Sequence, residues 1–299
     1  MEINTLFGNA SDSEKEQSKN DQENLQFTVQ SVCACSDLNA LPLIYGLQKG
    51  VVKHDFKLEL ADGKTCVRRL VQGEAELALI PSVEYAKGKG AWKIIPQVCI
   101  AHKGEAGDMA LFFNKDLHTL RRIAVDARYP AAIALLHIIL REKYELEAEL
   151  IEMTPDLPYM LRQADAALLS GDLALHAQAD FPAHLDLGEE WFDLTGLPFV
   201  SAIWAGHEIG LREDEAHMVQ QSAEFGRQNI AKISKEFAVS RNRDFEFYKR
   251  HLQNRTYYEF GSAEREALIE FFHYAFYLGL IEHIPELHFL GEETEHSGK

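Results

Sequence analysis

Two stretches early in the chain run from an apolar segment through a polar turn into an amphipathic one: SDLNALP at residues 36–42 and ALIPSVEY at 78–85. This order points to an α/β architecture, in which strands end where helices begin and each such turn offers free backbone N–H groups and small polar side chains at one rim. That rim is the expected place for an anion site.

The alternation continues along the chain. LQFTVQSVCAC reads as a strand from Leu25, and residues 41–50 as a short helix after Asn39, with Pro42 tolerated in its first turn. DFKLEL alternates like a strand, TCVRRLVQG reads as a helix stopped by Gly73, and ELALI as a buried strand. Strands at IPQVCIAHK and DMALFFNK lead to a second unit, with a strand at RRIAVD and a helix at AAIALLHIILREKY behind Pro130. ELEAELIEM, a helix across PYMLRQA, and AALLSGD repeat the pattern; LPFVSAIWAG at 197–206 brings the chain back, and residues 213–280 read as helices. This order predicts two lobes, one inserted into the other: 25–114 with 197–290, and 115–196. Crossings at 111–114 and 197–204 would form the hinge, with both sheet rims facing a cleft. Residues 1–24, polar and acidic, read as a disordered extension, and 291–299 as a flexible tail.

With 299 residues, 46% of them hydrophobic, the chain can bury two real cores. The net charge of −17 argues against nucleic-acid or anionic-membrane partners, which favour a broad basic surface. No segment approaches the roughly 18 apolar residues of a membrane span, and the amino-terminal segment lacks a signal-peptide pattern, so a cytoplasmic protein is expected. Cys33, Cys35, Cys66 and Cys99 have no C-x-x-C spacing, and the 13 histidines, His102, His137, His176 and His207 among them, show no ligand spacing. Neither a metal nor a bound cofactor is expected.

SDLNALPLIYGL, GEAELALIPSVEYAK, LLSGDLAL, LDLGEEWFDLTGLPFVSAIWAG and YYEFGSAEREALIEFFHYAFYLGLI follow one another between about residues 26 and 285. In that order they resemble the blocks of the menaquinone biosynthetic chorismate dehydratases (MqnA). The resemblance implies a two-lobed, periplasmic-binding-protein-like (type II) α/β fold with C-terminal helices. It further implies a cytoplasmic lyase that converts chorismate, a small dianion, to 3-[(1-carboxyvinyl)oxy]benzoate at the entry to the futalosine route.

On that resemblance Asn39 and Ser82 are the catalytic pair, the first aligning with the Asn of a Ser-Tyr-Leu-Asn turn and the second with the Ser of a Pro-Ser-hydrophobic-Glu-Tyr block. Read alone, both are ordinary helix-capping choices. Ser36, Leu38, Ala40 and Pro81 from the first lobe, and Arg128, Tyr129, Ala131, Ala132, Gly171 and Asp172 from the second, are the expected substrate-binding positions. No strong general base stands among them, and the substrate's own side-chain carboxylate has been proposed for that role. Glu84 reads as a salt-bridged or surface carboxylate, Cys35 as a small buried residue at a strand end, and Asp172 as an orienting group or a helix cap.

Two departures stand out. Asp37 replaces an aromatic residue in the first turn, and Ala131 and Ala132 occupy positions where hydroxyls are usual. Arg128 and the N–H groups after Tyr129 are the candidate replacements, since a guanidinium holds a carboxylate bidentately. The departures favour, as a second reading, a ligand-binding protein on the same scaffold. A dihydroxynaphthoate synthase ranks last, because its early Pro-x-Asn-Asp turn is absent.

Overall fold

The computed structural model describes residues 31–181, 183–239, 241 and 243–292. The expected extension at 1–24, the start of the first expected strand at 25–30 and the tail from 293 onward lie outside the described residues.

Two five-stranded sheets carry the chain. The first contains β1 (Ser31–Cys35), β2 (Lys57–Ala61), β3 (Leu77–Pro81), β4 (Trp92–His102) and β10 (Phe199–His207), in the order β2-β1-β3-β10-β4. The second contains β5 (Met109–Phe113), β6 (Arg122–Val125), β7 (Glu149–Glu152), β8 (Ala166–Ser170) and β9 (His184–Asp186), in the order β7-β6-β8-β5-β9. The two plans match. In each, three parallel strands are followed by one antiparallel strand that enters directly from a crossing, β10 in the first sheet and β5 in the second.

Helices α1 (Leu41–Gln48) and α2 (Gly63–Val71) follow β1 and β2, and α3 (Pro130–Glu142), α4 (Leu157–Gln163) and α5 (Asp172–Asp180) follow β6, β7 and β8. α6 (Leu187–Thr195) precedes the return, and α7 (Glu213–Gln228), α8 (Ile230–Ala238), α9 (Phe245–Asn254) and α10 (Ser262–Tyr277) close the chain.

The first crossing differs from expectation. β5 pairs with β8 and β9, so the chain has already left the first sheet before Met109, and the crossing is the loop before it rather than residues 111–114. The apolar pattern of DMALFF could not separate these readings, because a strand buried on both faces looks alike in either sheet. Asp186 pins this loop. Its carboxylate accepts from the backbone N–H groups of Ala106 and Gly107 at 2.8 and 2.7 Å, and it also caps α6 through Gly188 and Glu189.

One apolar cluster runs through both lobes, joining Ala78 and Ile203 of the first sheet to Ile123 and Leu168 of the second and to Phe271 and Phe272 of α10. Trp191 of α6 is at its centre, edge-on to Phe199 and Phe271, with its indole N–H donated to the Pro198 carbonyl at 3.1 Å. The second crossing is thereby held by a buried hydrogen bond. A separate cluster under the C-terminal helices packs Leu43 and Ile44 of α1 against Val219 of α7. There Gly226 is required by contact, since a Cβ on it would overlap the carbonyl oxygen of Pro42.

Candidate active site

The parallel strands of both sheets end at one junction, where a cavity of about 80 Å³ lies between the lobes. Such a position, outside the carboxyl ends of strands at a topological switch, is where α/β sheets bind ligands. The first lobe contributes Asp37, Asn39 and Ala40 from the turn after β1, and Pro81 from the end of β3. The second contributes Arg128, Tyr129, Ala131 and Ala132 from the turn into α3, and Ser170 and Gly171 from the end of β8.

Asn39 is held by three partners. Its Nδ2 donates to Asp108 Oδ2 at 2.8 Å, and its Oδ1 accepts from His251 Nε2 at 2.7 Å and from the Thr256 hydroxyl at 3.3 Å. Because Oδ1 can only accept, His251 carries its proton on Nε2. His102 works the other way: its Nδ1 faces the Arg255 carbonyl at 2.9 Å and donates to it, leaving a lone pair on Nε2. Burial pushes both imidazoles down, to about 4 for His102 and about 3 for His251, and pushes the Asp108 carboxyl well above the usual carboxylate range. Both imidazoles are uncharged at neutral pH.

The opposite wall is built on Tyr129. Its hydroxyl lies against Gly171, where a Cβ would collide with it and where φ is +66°, so this position requires glycine twice over. Tyr129 also hydrogen-bonds Asp37, but burial and the nearby Asp172 carboxylate outweigh that and raise Asp37 to about 6. Arg128 is engaged by Asp126, which takes Nε at 3.0 Å and Nη2 at 2.5 Å. Its remaining nitrogen, Nη1, makes no hydrogen bond among the described residues.

Ala131 and Ala132, at the start of α3, face the cavity with methyl groups. Hydroxyls on the cavity wall come from Tyr129 and from two residues that sequence reasoning did not single out. Ser170 presents an Oγ without a hydrogen-bond partner among the described residues, whereas Ser201 donates to the Ile100 carbonyl at 3.1 Å. Asp108 was also missed, because it lies in the misplaced crossing. Cys35, read as a buried strand end, is half-buried and lines the cavity.

Four expected positions stand off the wall. Ser36 is exposed on the rim. Ser82 is completely buried just behind Pro81, its Oγ lacking a partner among the described residues. Leu38 and Asp172 bind each other across the cleft: the Leu38 N–H donates to Asp172 Oδ1 at 3.0 Å, and Asp172 Oδ2 pairs with Arg241 at 3.4 Å. The backbone donor that the sequence offers to an anion is therefore occupied by a carboxylate of the opposite lobe. Glu84 is ion-paired with Lys87 away from the cavity.

Fold and cleft together define a two-lobed α/β protein of the periplasmic-binding-protein type. The chain belongs to the menaquinone biosynthesis family, whose pattern it matches over residues 30–277. A chorismate dehydratase from Thermus thermophilus is 31% identical over 160 residues, a match spanning 46% of this chain and 56% of that protein. Among solved structures, a protein from Archaeoglobus fulgidus superposes with a TM-score of 0.70 at 21% identity, covering 84% of this chain and 98% of that one. A Candida albicans protein described as having the generic periplasmic binding protein fold superposes with a TM-score of 0.62 at 11% identity, covering 89% of this chain and 99% of its own.

Proposed function

We propose that this protein is a cytoplasmic chorismate dehydratase, a carbon–oxygen lyase forming 3-[(1-carboxyvinyl)oxy]benzoate and water at the entry to the futalosine route. The observation that carries the reading is a cavity at the lobe junction that brings Asn39 of the first lobe opposite Arg128, Tyr129 and the start of α3 from the second, in a chain matched to a relative with that activity. Chorismate already contains the driving force for its reaction, because losing a ring proton and the ring hydroxyl leaves an aromatic product. The protein has to position and polarise it.

Binding of a dianion fits the groups available. The open N–H groups at the start of α3 and Arg128 Nη1 take one carboxylate. Asn39 holds the ring hydroxyl through its second amide hydrogen. Ser170 supplies a hydroxyl that lacks a partner among the described residues, as does Ser82 once the parting lobes uncover it from behind Pro81, and a substrate contact relieves the roughly 1–3 kcal/mol that an unpaired buried polar group costs. The substrate's own side-chain carboxylate removes the ring proton. Asp172 leaves the Leu38 N–H as the lobes part to admit substrate.

Purified protein incubated with chorismate is expected to yield the aromatic enol ether, identified by chromatography and mass. Ser82→Ala and Asn39→Ala are expected to lose turnover while keeping the fold. Chorismate that stabilises the protein thermally but is never converted would instead make this a binding protein.

A further inference from the structure

An asparagine amide can form hydrogen bonds through two lone pairs on Oδ1 and two hydrogens on Nδ2. In Asn39 the lone pairs accept from His251 Nε2 at 2.7 Å and from the Thr256 hydroxyl at 3.3 Å, and one hydrogen goes to Asp108 at 2.8 Å. What Asn39 keeps for the cavity it lines is therefore a single N–H donor. Turned over, the same amide would offer a lone pair instead. His251 decides between the two, because a proton on Nε2 matches only the amide oxygen, and a lone pair there would match only the amide hydrogens. The Thr256 hydroxyl serves either arrangement, and so does the Asp108 carboxyl when it holds a proton, the form that burial favours.

The surroundings of the ring place its proton. His251 is buried on α9, and its Nδ1 has no hydrogen-bond partner among the described residues. The Cβ that Gly107 lacks would lie 3.2 Å from this nitrogen and 2.8 Å from Arg255 Nη1, so Nδ1 and the guanidinium stand on one side of the ring. A lone pair suits that cation and a proton does not, which leaves the proton on Nε2.

We propose that His251 is a positioning residue that holds the Asn39 amide with its N–H towards the departing ring hydroxyl, a role that rests on the dehydratase reading. Negative charge gathers on that oxygen as the C–O bond lengthens. A donor aimed at it lowers the barrier, whereas a carbonyl oxygen in the same place would raise it. His251 does not itself line the cavity, and it acts only through Asn39.

The test compares His251→Leu, which removes the donor, with His251→Gln, whose side-chain amide can replace it, both in the full chain. Circular dichroism is expected to show both variants folded. With chorismate, kcat of the Leu variant should fall by about 100-fold, the cost of losing one aimed donor, while KM stays within about threefold of wild type. The Gln variant should turn over at least about tenfold faster than the Leu variant. In an Asn39→Ala background, His251→Leu should change turnover by less than about twofold, because a residue that acts through Asn39 has nothing left to position. A packing role gives the same loss in both backgrounds, and that result overturns the assignment, as does a Leu variant with wild-type kcat. NMR of the wild type carrying isotopic nitrogen in its histidines supplies a readout apart from turnover. At neutral pH the His251 signals, assigned by their absence from the Gln variant, should report a neutral ring protonated on Nε2. A ring protonated on Nδ1 in an active wild type overturns the positioning alone. A wild type that makes no aromatic product overturns the dehydratase reading and the catalytic use of this contact with it, whatever the spectrum shows of the ring.

Discussion

Asp37 is the residue at which this chain departs most sharply from the pattern it resembles, and its surroundings show how an acid can sit in a cleft meant for a dianion. Burial and Asp172 raise it to about 6, so it becomes charged only as pH passes through that value. A bound dianion favours the protonated form, so substrate affinity should be highest below that point and weaken as the proton leaves. The KM for chorismate is expected to rise by up to about tenfold between pH 5 and 7.5, and Asp37→Asn should flatten that profile, as steady-state kinetics across the range would register. A steep profile in the variant would place the titrating group elsewhere. Asn39 was legible because its turn has a local signature. Its partner His251 was not, lying 212 residues away on a helix that only tertiary folding brings beneath the cleft.

Among the elements, the strand-to-helix turns were readable and the connections between lobes were not. β9 has only three residues, too few for an alternating pattern, and the strand at 109–113 gives no sign of which sheet it joins. The Ala131 and Ala132 departures look different with the first turn of α3 in view. Small residues there leave the helix's free N–H groups open to the cavity, and Ser170 brings a hydroxyl from the neighbouring strand. The α1–α7 contact gives a sharper check on packing. Gly226→Ala, an exchange that normally favours a helix, should here destabilise the protein by about 3 kcal/mol or more, because the added methyl meets the Pro42 backbone. Urea denaturation would measure it, and a stabilised variant would mean that α1 and α7 are farther apart than described.

Across the whole molecule, α5 of the second lobe is tied to the first by Asp172 with Leu38 and Arg241, by His176 with Tyr248 and by Asp180 with Arg243. These contacts hold the two lobes together across the cleft. Asp172→Ala removes the one that reaches the first turn, and is expected to shift the balance towards open forms by about three- to tenfold. Small-angle scattering should then give a larger radius of gyration for the free variant, with the difference shrinking when chorismate is added. Equal radii would show that Asp172 does not hold the lobes together.

The apolar cluster that threads Ile123 and Leu168 together with Ile203 and Phe271 has one more consequence. Halves knitted together by one common cluster have no independent melting point. Heating should therefore take the described body of the chain through one calorimetric peak, and damage at the rear of either half should be felt in both.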